Sequence, residues 1–469
     1  MKRNLIICLA AGLLLFTGGC SKYLDKLDNP NLVTDPPLNG LLAEATFQSG
    51  MDVYRMGDIV SYYTQYLASN SKGSDADIYN EVDYSTTWTN FYNTMMNIQQ
   101  MITLAEKQGA SKHLGVGKIL MALNLNMLVN SFGDVPYSEA LKGQELLVPK
   151  FDDQATLLAT CMQLVDDGIA ALKQTDATLD LNAASDVIHG GSADAWIKTG
   201  YALKARFLNQ WSKTSDYKPA DILTALGTAY SSNADDAQLT AFSGRSPWNQ
   251  VAYDNSVLDL DGWMSTQFID ATNGKTYGIF DPRLPKIATL TKFGDYRGTP
   301  NGAGRIGTGT DNEESYLSLD GFYSKSAAPL LVITYAETKF IEAEVAFRTN
   351  DKTRAYDAYL AGISANMDKL GVSGTDKATY MNNPAVSVGA ANLTLDLIFK
   401  EKYVAMVLNP ESWVDARRYD YKYKDFGLPV GAVMNTFIRR VAYPTVETSR
   451  NGANVPTISG LDEKLIWDK

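Results

Sequence analysis

Histidine and cysteine are scarce in this chain: two His and three Cys among 469 residues. Transition-metal sites draw their ligands chiefly from these two residue types, so little is left to build one, and no H-E-x-x-H run occurs. A serine triad has only His113 and His189 as candidate bases. Cys8 lies in an N-terminal apolar run and Cys20 just after it, which leaves Cys161 without a partner for an intramolecular disulfide. Cys161 falls with Leu158, Val165 and Leu172 at the i, i+3, i+7 spacing of a core stripe, so it reads as buried packing rather than a reactive thiol. Basic charge is also short. The 42 Lys and Arg face 53 Asp and Glu, a formal charge of −11, which argues against nucleic acid and other polyanions as ligands.

What the N-terminus has is order. Lys2 and Arg3 precede an apolar run from Leu5 to Phe16, and Thr17-Gly18-Gly19 leads to Cys20. A basic segment, a short apolar segment and small residues make a secretory signal over residues 1–19. The run is too short to cross a bilayer, which takes about 20 residues. A cysteine directly after the small residues predicts a bacterial lipoprotein, cut before Cys20 and acylated there; several acyl chains together give a stable anchor. Thr17 stands where such signals usually carry Leu, and the alternative is an ordinary cleaved signal. Loss of Lys2 and Arg3 takes the formal charge from −11 to −13.

Residues 20–40 hold Asn29-Pro30-Asn31 and Asp35-Pro36-Pro37 and read as a lipidated tether. From residue 41 to 469 we expect one mainly α domain. Helical periodicity runs to about Leu172, including Gly117–Asn130, and returns over Asp194–Ser212, behind a cap at Ser192. Ala336, Phe340, Ala343 and Phe347 form one apolar stripe, and Tyr356, Leu360, Ile363, Met367 and Leu370 a second after a break at 349–352. Two helices joined this way have the length of a tetratricopeptide unit. Another helix is expected over Leu393–Val407. Residues 240–325 differ, being rich in Gly, Asp, Ser and aromatics and punctuated by Pro247, Pro282, Pro285 and Pro300. Long irregular segments inside a compact domain usually carry function.

Short motifs with a chemical meaning are weak here. Gly302-Ala303-Gly304-Arg305-Ile306-Gly307 has dinucleotide spacing but lies between loop signals, without the strand and helix that the motif needs. His189-Gly190-Gly191-Ser192 is similar to an esterase oxyanion loop, with no G-x-S-x-G elbow to accompany it. Asp259-Leu260-Asp261-Gly262 lacks the rest of a calcium loop. Glu337 and Glu344 share a helix face while Glu342 points elsewhere, and one or more of the three is expected to pair with a helix-borne Arg or Lys. Carboxylate pairs for glycoside hydrolysis stay open at this level, since separation in space is not readable.

Taken together, several segments resemble the SusD/RagB family of outer-membrane nutrient-binding lipoproteins. They are Cys20 through Asp25, Ser131-Phe132-Gly133-Asp134-Val135-Pro136-Tyr137-Ser138-Glu139-Ala140, Asp281-Pro282-Arg283-Leu284-Pro285 and Tyr296-Arg297-Gly298. Further on come Tyr335-Ala336-Glu337 to Glu344, Glu401-Lys402-Tyr403, Glu411-Ser412-Trp413-Val414-Asp415-Ala416-Arg417-Arg418, Arg440 to Pro444 and Trp467-Asp468. The resemblance implies a scaffold of four tetratricopeptide-like helix pairs with an irregular, loop-rich half facing the ligand. It implies a protein that is not an enzyme; no cofactor or metal is expected. Such a protein is held by lipid on the cell surface, captures a glycan, and caps a SusC-like TonB-dependent transporter. Some members capture peptides instead, and a secreted glycan hydrolase is the alternative from another class. The motif residues read as scaffold, Trp413 lying in a buried cluster with Glu411, Arg417 and Arg418.

No motif carries the ligand contacts. A sugar site needs flat aromatic faces for C–H surface and polar groups at the edges for hydroxyls. The chain has 26 Tyr, 16 Phe and 7 Trp. From the irregular segment we expect Trp248, Tyr253, Trp263, Tyr277 and Tyr323 at the ligand, with Asn249, Asn255 and Asp261 beside them and Trp248 and Trp263 as a stacking platform. Trp88 and Tyr92 read as helix packing, with Asp75, Tyr79 and Tyr84 upstream within reach of a site.

Overall fold

Apolar residues three and four apart make the first helix, α1 (Leu38–Tyr63), which buries Leu41, Leu42, Ala45, Val53, Met56, Ile59, Val60 and Tyr63 along one side. This is a computed structural model that describes residues 36–175, 178–307 and 312–469, apart from the side chain of residue 144. The signal, Cys20 and nearly all of the tether lie outside the described residues. Residues 38–40, placed in the tether by the sequence, are the first turn of α1.

Helices follow in pairs. α1 packs on α2 (Ser85–Gln108), and α3 (Ser111–Phe132) on α4 (Gln154–Leu172). α5 (Ala193–Asn209) packs on α6 (Pro219–Leu226). Beyond the irregular segment, α9 (Tyr335–Arg348) packs on α10 (Lys352–Leu370). Each pair also touches the next, as stacked repeats do when no pair can bury its apolar face alone. Glycine sets the closest approach. A Cβ on Gly115 would stand 2.7 Å from the carbonyl of Gly168, and one on Gly168 2.9 Å from that of Gly115, so α3 and α4 meet backbone to backbone. Cys161 is buried on α4, where burial pushes its thiol far above the ordinary range. Ser192 caps α5 by accepting from the Ala195 N–H, as the sequence indicated.

Helices α11 (Gly374–Met381), α12 (Leu395–Ala405), α13 (Glu411–Arg418) and α14 (Thr445–Arg450) complete the chain. The segment 240–325 is less irregular than its composition suggests. It holds α7 (Pro247–Leu258) and α8 (Thr266–Thr272), capped by Ser246 and Ser265, with Pro247 at the first turn of α7. The apolar stripe of α7 is thin because two of its four buried residues are Asn249 and Asn255, which hides it from periodicity.

Two small sheets pin this segment. β2 (Ala237–Leu239) and β4 (Leu330–Ile333) pair antiparallel at its base. β1 (Leu67–Ala68), just after α1, pairs antiparallel with β3 (Trp263–Met264) in its middle. The end of α1 and the loop before β3 are thereby brought side by side.

The charged residues of the motifs are spent on the scaffold. Arg206 of α5 holds Glu337 of α9 through two contacts at 2.6 and 2.7 Å. Arg418 bridges Glu344 at 2.7 Å and Asp415 at 2.6 Å, and Lys402 completes the group on Asp415. Burial opposes ionisation of Glu344, but Arg418 and then Arg348 outweigh it and hold the carboxyl far below its ordinary range. Arg283 sits between Asp281 and Glu401, fully buried, and Tyr380 donates to Glu401. Arg417 stacks on Trp413 at 3.8 Å. Glu342 turns away to Lys339 and Arg354.

Candidate functional site

Beside the junction of β1 and β3, α1 presents Tyr54, Asp58 and Tyr62 at i, i+4, i+8, all half-buried on one stripe. α7 lies next to it: the Tyr54 ring meets the Trp248 indole edge-on at 4.9 Å, and the same indole stands 3.6 Å from where a Cβ on Gly57 would lie, a space that the Leu408 carbonyl closes. α7 ends at Asp259, in the left-handed region at φ 54°. The carbonyls that follow are tied down. Asn70 donates to Asp259, Asn255 to Asp261 at 2.8 Å, and the Trp263 indole N–H to Leu260 at 2.7 Å. The Asp259–Gly262 run is thus the turn that carries Asp261 out beside Asp58.

Neither Asp58 nor Asp261 has a hydrogen bond to its carboxylate, or a salt bridge, among the described residues. Burial, and next the Asp261 charge, push Asp58 from 3.8 up to about 6. Burial and the same two carboxylates also raise Tyr62 and Tyr54. Farther along, the Arg305 guanidinium covers the Trp263 ring at 3.8 Å and pairs with Glu314 and Asp259, while half-buried Tyr316 stands edge-on to Trp263 at 5.7 Å. The result is a ledge of tyrosine faces and uncompensated acceptors, with a guanidinium at one end. Rings can lie against the C–H face of a ligand, and carboxylates can accept from its hydroxyl or ammonium groups.

The five aromatics expected at the ligand fall in three places. Tyr253 is 38% exposed on α7, the helix beside the ledge, with the Arg245 guanidinium stacked at 3.5 Å. Trp248 and Trp263 are 3% and 1% exposed and support it from behind, so neither indole presents a face to solvent. Tyr277 is half-buried elsewhere, near the ammonium groups of Lys400 and Lys424. Tyr323 is buried, its hydroxyl directed at the Ala405 carbonyl. Asn249 and Asn255 serve the backbone of Ser324 and of the turn. Trp88 packs edge-on to Phe132, Tyr92 donates to the Pro136 carbonyl, Tyr79 is buried, and Tyr84 shares a hydrogen bond with Tyr63. Tyr54, Asp58, Tyr62, Arg305 and Tyr316 were not singled out from sequence; the i, i+4, i+8 spacing on α1 was the available signal for the first three.

The other chemical motifs are structural. Gly302 and Gly304 have φ of 79° and 70° and lie against the backbones of Val430 and Lys72, and residues 305–307 that follow are not helical. His189 bonds to Thr199, and burial lowers it to about 4; His113 bonds to Asn39, and burial lowers it also.

Residues 30–444 match the model of a family described as SusD-like, starch-binding associating with outer membrane. Among solved structures, a SusD/RagB family protein from Bacteroides thetaiotaomicron aligns over 92% of this chain and 99% of its own, at 21% identity and a TM-score of 0.76. A chitin-binding SusD homolog from Flavobacterium johnsoniae aligns over 92% and 98%, also at 21% identity and 0.76. A SusD homolog from Bacteroides fragilis aligns over 93% and 100%, at 21% and 0.73. No curated protein matches.

Proposed function

This chain belongs to the SusD-like family of starch-binding proteins associated with the outer membrane, and from that premise we propose that it captures a glycan on the ledge of Tyr54, Asp58, Tyr62, Tyr253 and Asp261. It then hands the glycan to a SusC-like TonB-dependent transporter while held on the cell surface by lipid at Cys20. The observation that carries this reading is the pair Asp58 and Asp261. In the scaffold the motif carboxylates Glu337, Glu401, Glu344 and Asp415 are met by Arg or Lys, and Glu411, which has no ion pair, is buried. Asp58 and Asp261 instead stand among half-buried tyrosine rings and are left without a cation. Uncompensated charge in a stable fold is a cost that a ligand explains. Of the five aromatics put forward from sequence, Tyr253 keeps the role of ligand contact, and Trp248 and Trp263 take that of its support.

Binding rather than turnover is the reading we adopt. It is supported by the commitment of His113 and His189 to structural hydrogen bonds and by the burial of Cys161, which leave carboxylates and the Arg305 guanidinium as the charged groups at the ledge. Cleavage by the carboxylate pair is what the product analysis below tests. Those carboxylates also favour a second reading, capture of basic peptides.

Calorimetric titration of the chain beginning at Ser21 against a panel of polysaccharides, oligosaccharides and basic peptides, with product analysis of each mixture, separates these readings. Saturable glycan binding with intact glycan afterwards is the expected result. Binding of basic peptides alone would replace the glycan by a peptide, and glycan cleavage would replace the binder by a hydrolase.

A further inference from the structure

Beyond the ledge, on the far side of the β1–β3 junction, lies a cavity of about 330 Å³ between Gln65, residues 265–276 and the loop 425–430. That volume is at the lower end of the range of small-molecule sites. Its loop wall is fastened in place. Gln65 donates its amide to the Gly427 carbonyl at 2.7 Å, Gln267 to that of Lys424 at 3.3 Å, and the Val430 N–H donates to Asn301 at 2.9 Å. Gly302 lies so close under Val430 that a Cβ would come within 2.0 Å of its carbonyl oxygen. The cavity is therefore preformed.

What it offers is mainly acceptors. The Asp425 carboxylate, the Gln267 side-chain oxygen and the Thr276 hydroxyl have no partner among the described residues, while Asp270 is shared with Lys275 at 2.6 Å. The lining also includes Leu428 and Val430, both exposed, with Pro300 and Pro429. A ligand that suits this lining donates several hydrogen bonds and also carries apolar C–H surface, which is the chemistry of a saccharide ring.

We infer that this cavity is a second saccharide subsite, occupied by the same chain that lies on the ledge; the inference rests on the glycan reading above. Connectivity supports the tandem arrangement. Tyr62 and Asp261 of the ledge precede, by three and four residues, Gln65 and Ser265 of the cavity, and four extended residues reach about 13 Å. A short oligosaccharide spans that distance; a disaccharide on the ledge does not fill both.

The test titrates maltose, maltohexaose, chitobiose and chitohexaose into the chain beginning at Ser21 and into three variants. Val430→Trp obstructs the mouth of the cavity. Asp425→Asn removes its charge while keeping a residue that accepts φ of 60°. Tyr253→Ala alters only the ledge. We expect wild type to bind a hexamer at least tenfold more tightly than its dimer. Both cavity variants should lose about tenfold for the hexamer, the size of one or two hydrogen bonds, with dimer affinity within twofold and an unchanged unfolding midpoint. If hexamer affinity survives in both cavity variants but collapses in Tyr253→Ala, the cavity is no subsite and the glycan reading stands. If wild type is silent to all four sugars and to the wider glycan panel, that reading and this inference fall together.

Discussion

Replacing Asp58 by Asn should stabilise the protein, and the size of the gain follows from where the carboxyl sits. Burial and the neighbouring Asp261 move it from 3.8 to about 6. A factor of ten in acidity corresponds to about 1.4 kcal/mol, so ionised Asp58 costs the fold at most about 3 kcal/mol. The side chain keeps part of its surface in water, which screens the charge, and about 1–2 kcal/mol is the reasonable expectation. The sign fixes the pH window. A carboxyl raised in the folded state contributes stability below its ordinary 3.8 and loses it as pH rises through about 6. Urea unfolding of wild type and Asp58→Asn should therefore coincide near pH 3.5 and diverge to the full gain above pH 7. The same variant should bind its glycan less well, by about tenfold for one charge-assisted hydrogen bond. A stabilising substitution that impairs binding is the signature of a residue kept for its ligand. If Asp58→Asn is instead less stable than wild type at pH 7.5, the carboxylate has a structural partner and the ledge loses its strongest support.

Glu344→Gln should cost about 3–5 kcal/mol at neutral pH, because it leaves Arg418 buried with half its compensation. Since the Glu344 carboxyl is depressed in the fold, its contribution is present above its ordinary 4.5 and fades as pH falls, so urea curves for the two proteins should converge below that value; parallel curves would refute the pairing. Gly302→Ala should destabilise by about 2–4 kcal/mol through left-handed strain and the clash with Val430, and a loss under about 0.5 kcal/mol in urea would contradict the packing. Cys161 should resist a thiol reagent in the native chain and react fully once urea unfolds it; rapid native labelling would show that α4 opens readily.

Much of the scaffold was legible because it obeys local rules. α9 and α10 carry clean apolar stripes, Thr334 and Asp351 cap them, and the break between them falls where the periodicity stops. Buried pairs such as Glu344 with Arg418 were partly legible too, since a carboxylate on an apolar helix face needs a cation and the choice of partners is short. The ligand side was not. Trp248 and Trp263 drew attention as large aromatics, but a large ring gains more by burial than by display, and both are packed behind the ledge. The exposed ring is Tyr253, which nothing local distinguishes from the other tyrosines.

The contrast between the two halves is itself a consequence of what each must do. Ion pairs in the stacked helices fix register between elements distant in sequence, Arg206 to Glu337 and Arg283 to Glu401, so each charge must find its partner within the chain and the pairing leaves a trace in motifs. At the ledge, on the reading proposed above, the partner arrives from outside. Asp58 and Asp261 come together only because the two-residue β1–β3 ribbon sets the end of α1 beside the turn after α7. That juxtaposition depends on nearly two hundred intervening residues. A binding site assembled this way can change its ligand by altering a few side chains on the turn, while the helix pairs beneath it, closed on themselves, keep the same motifs.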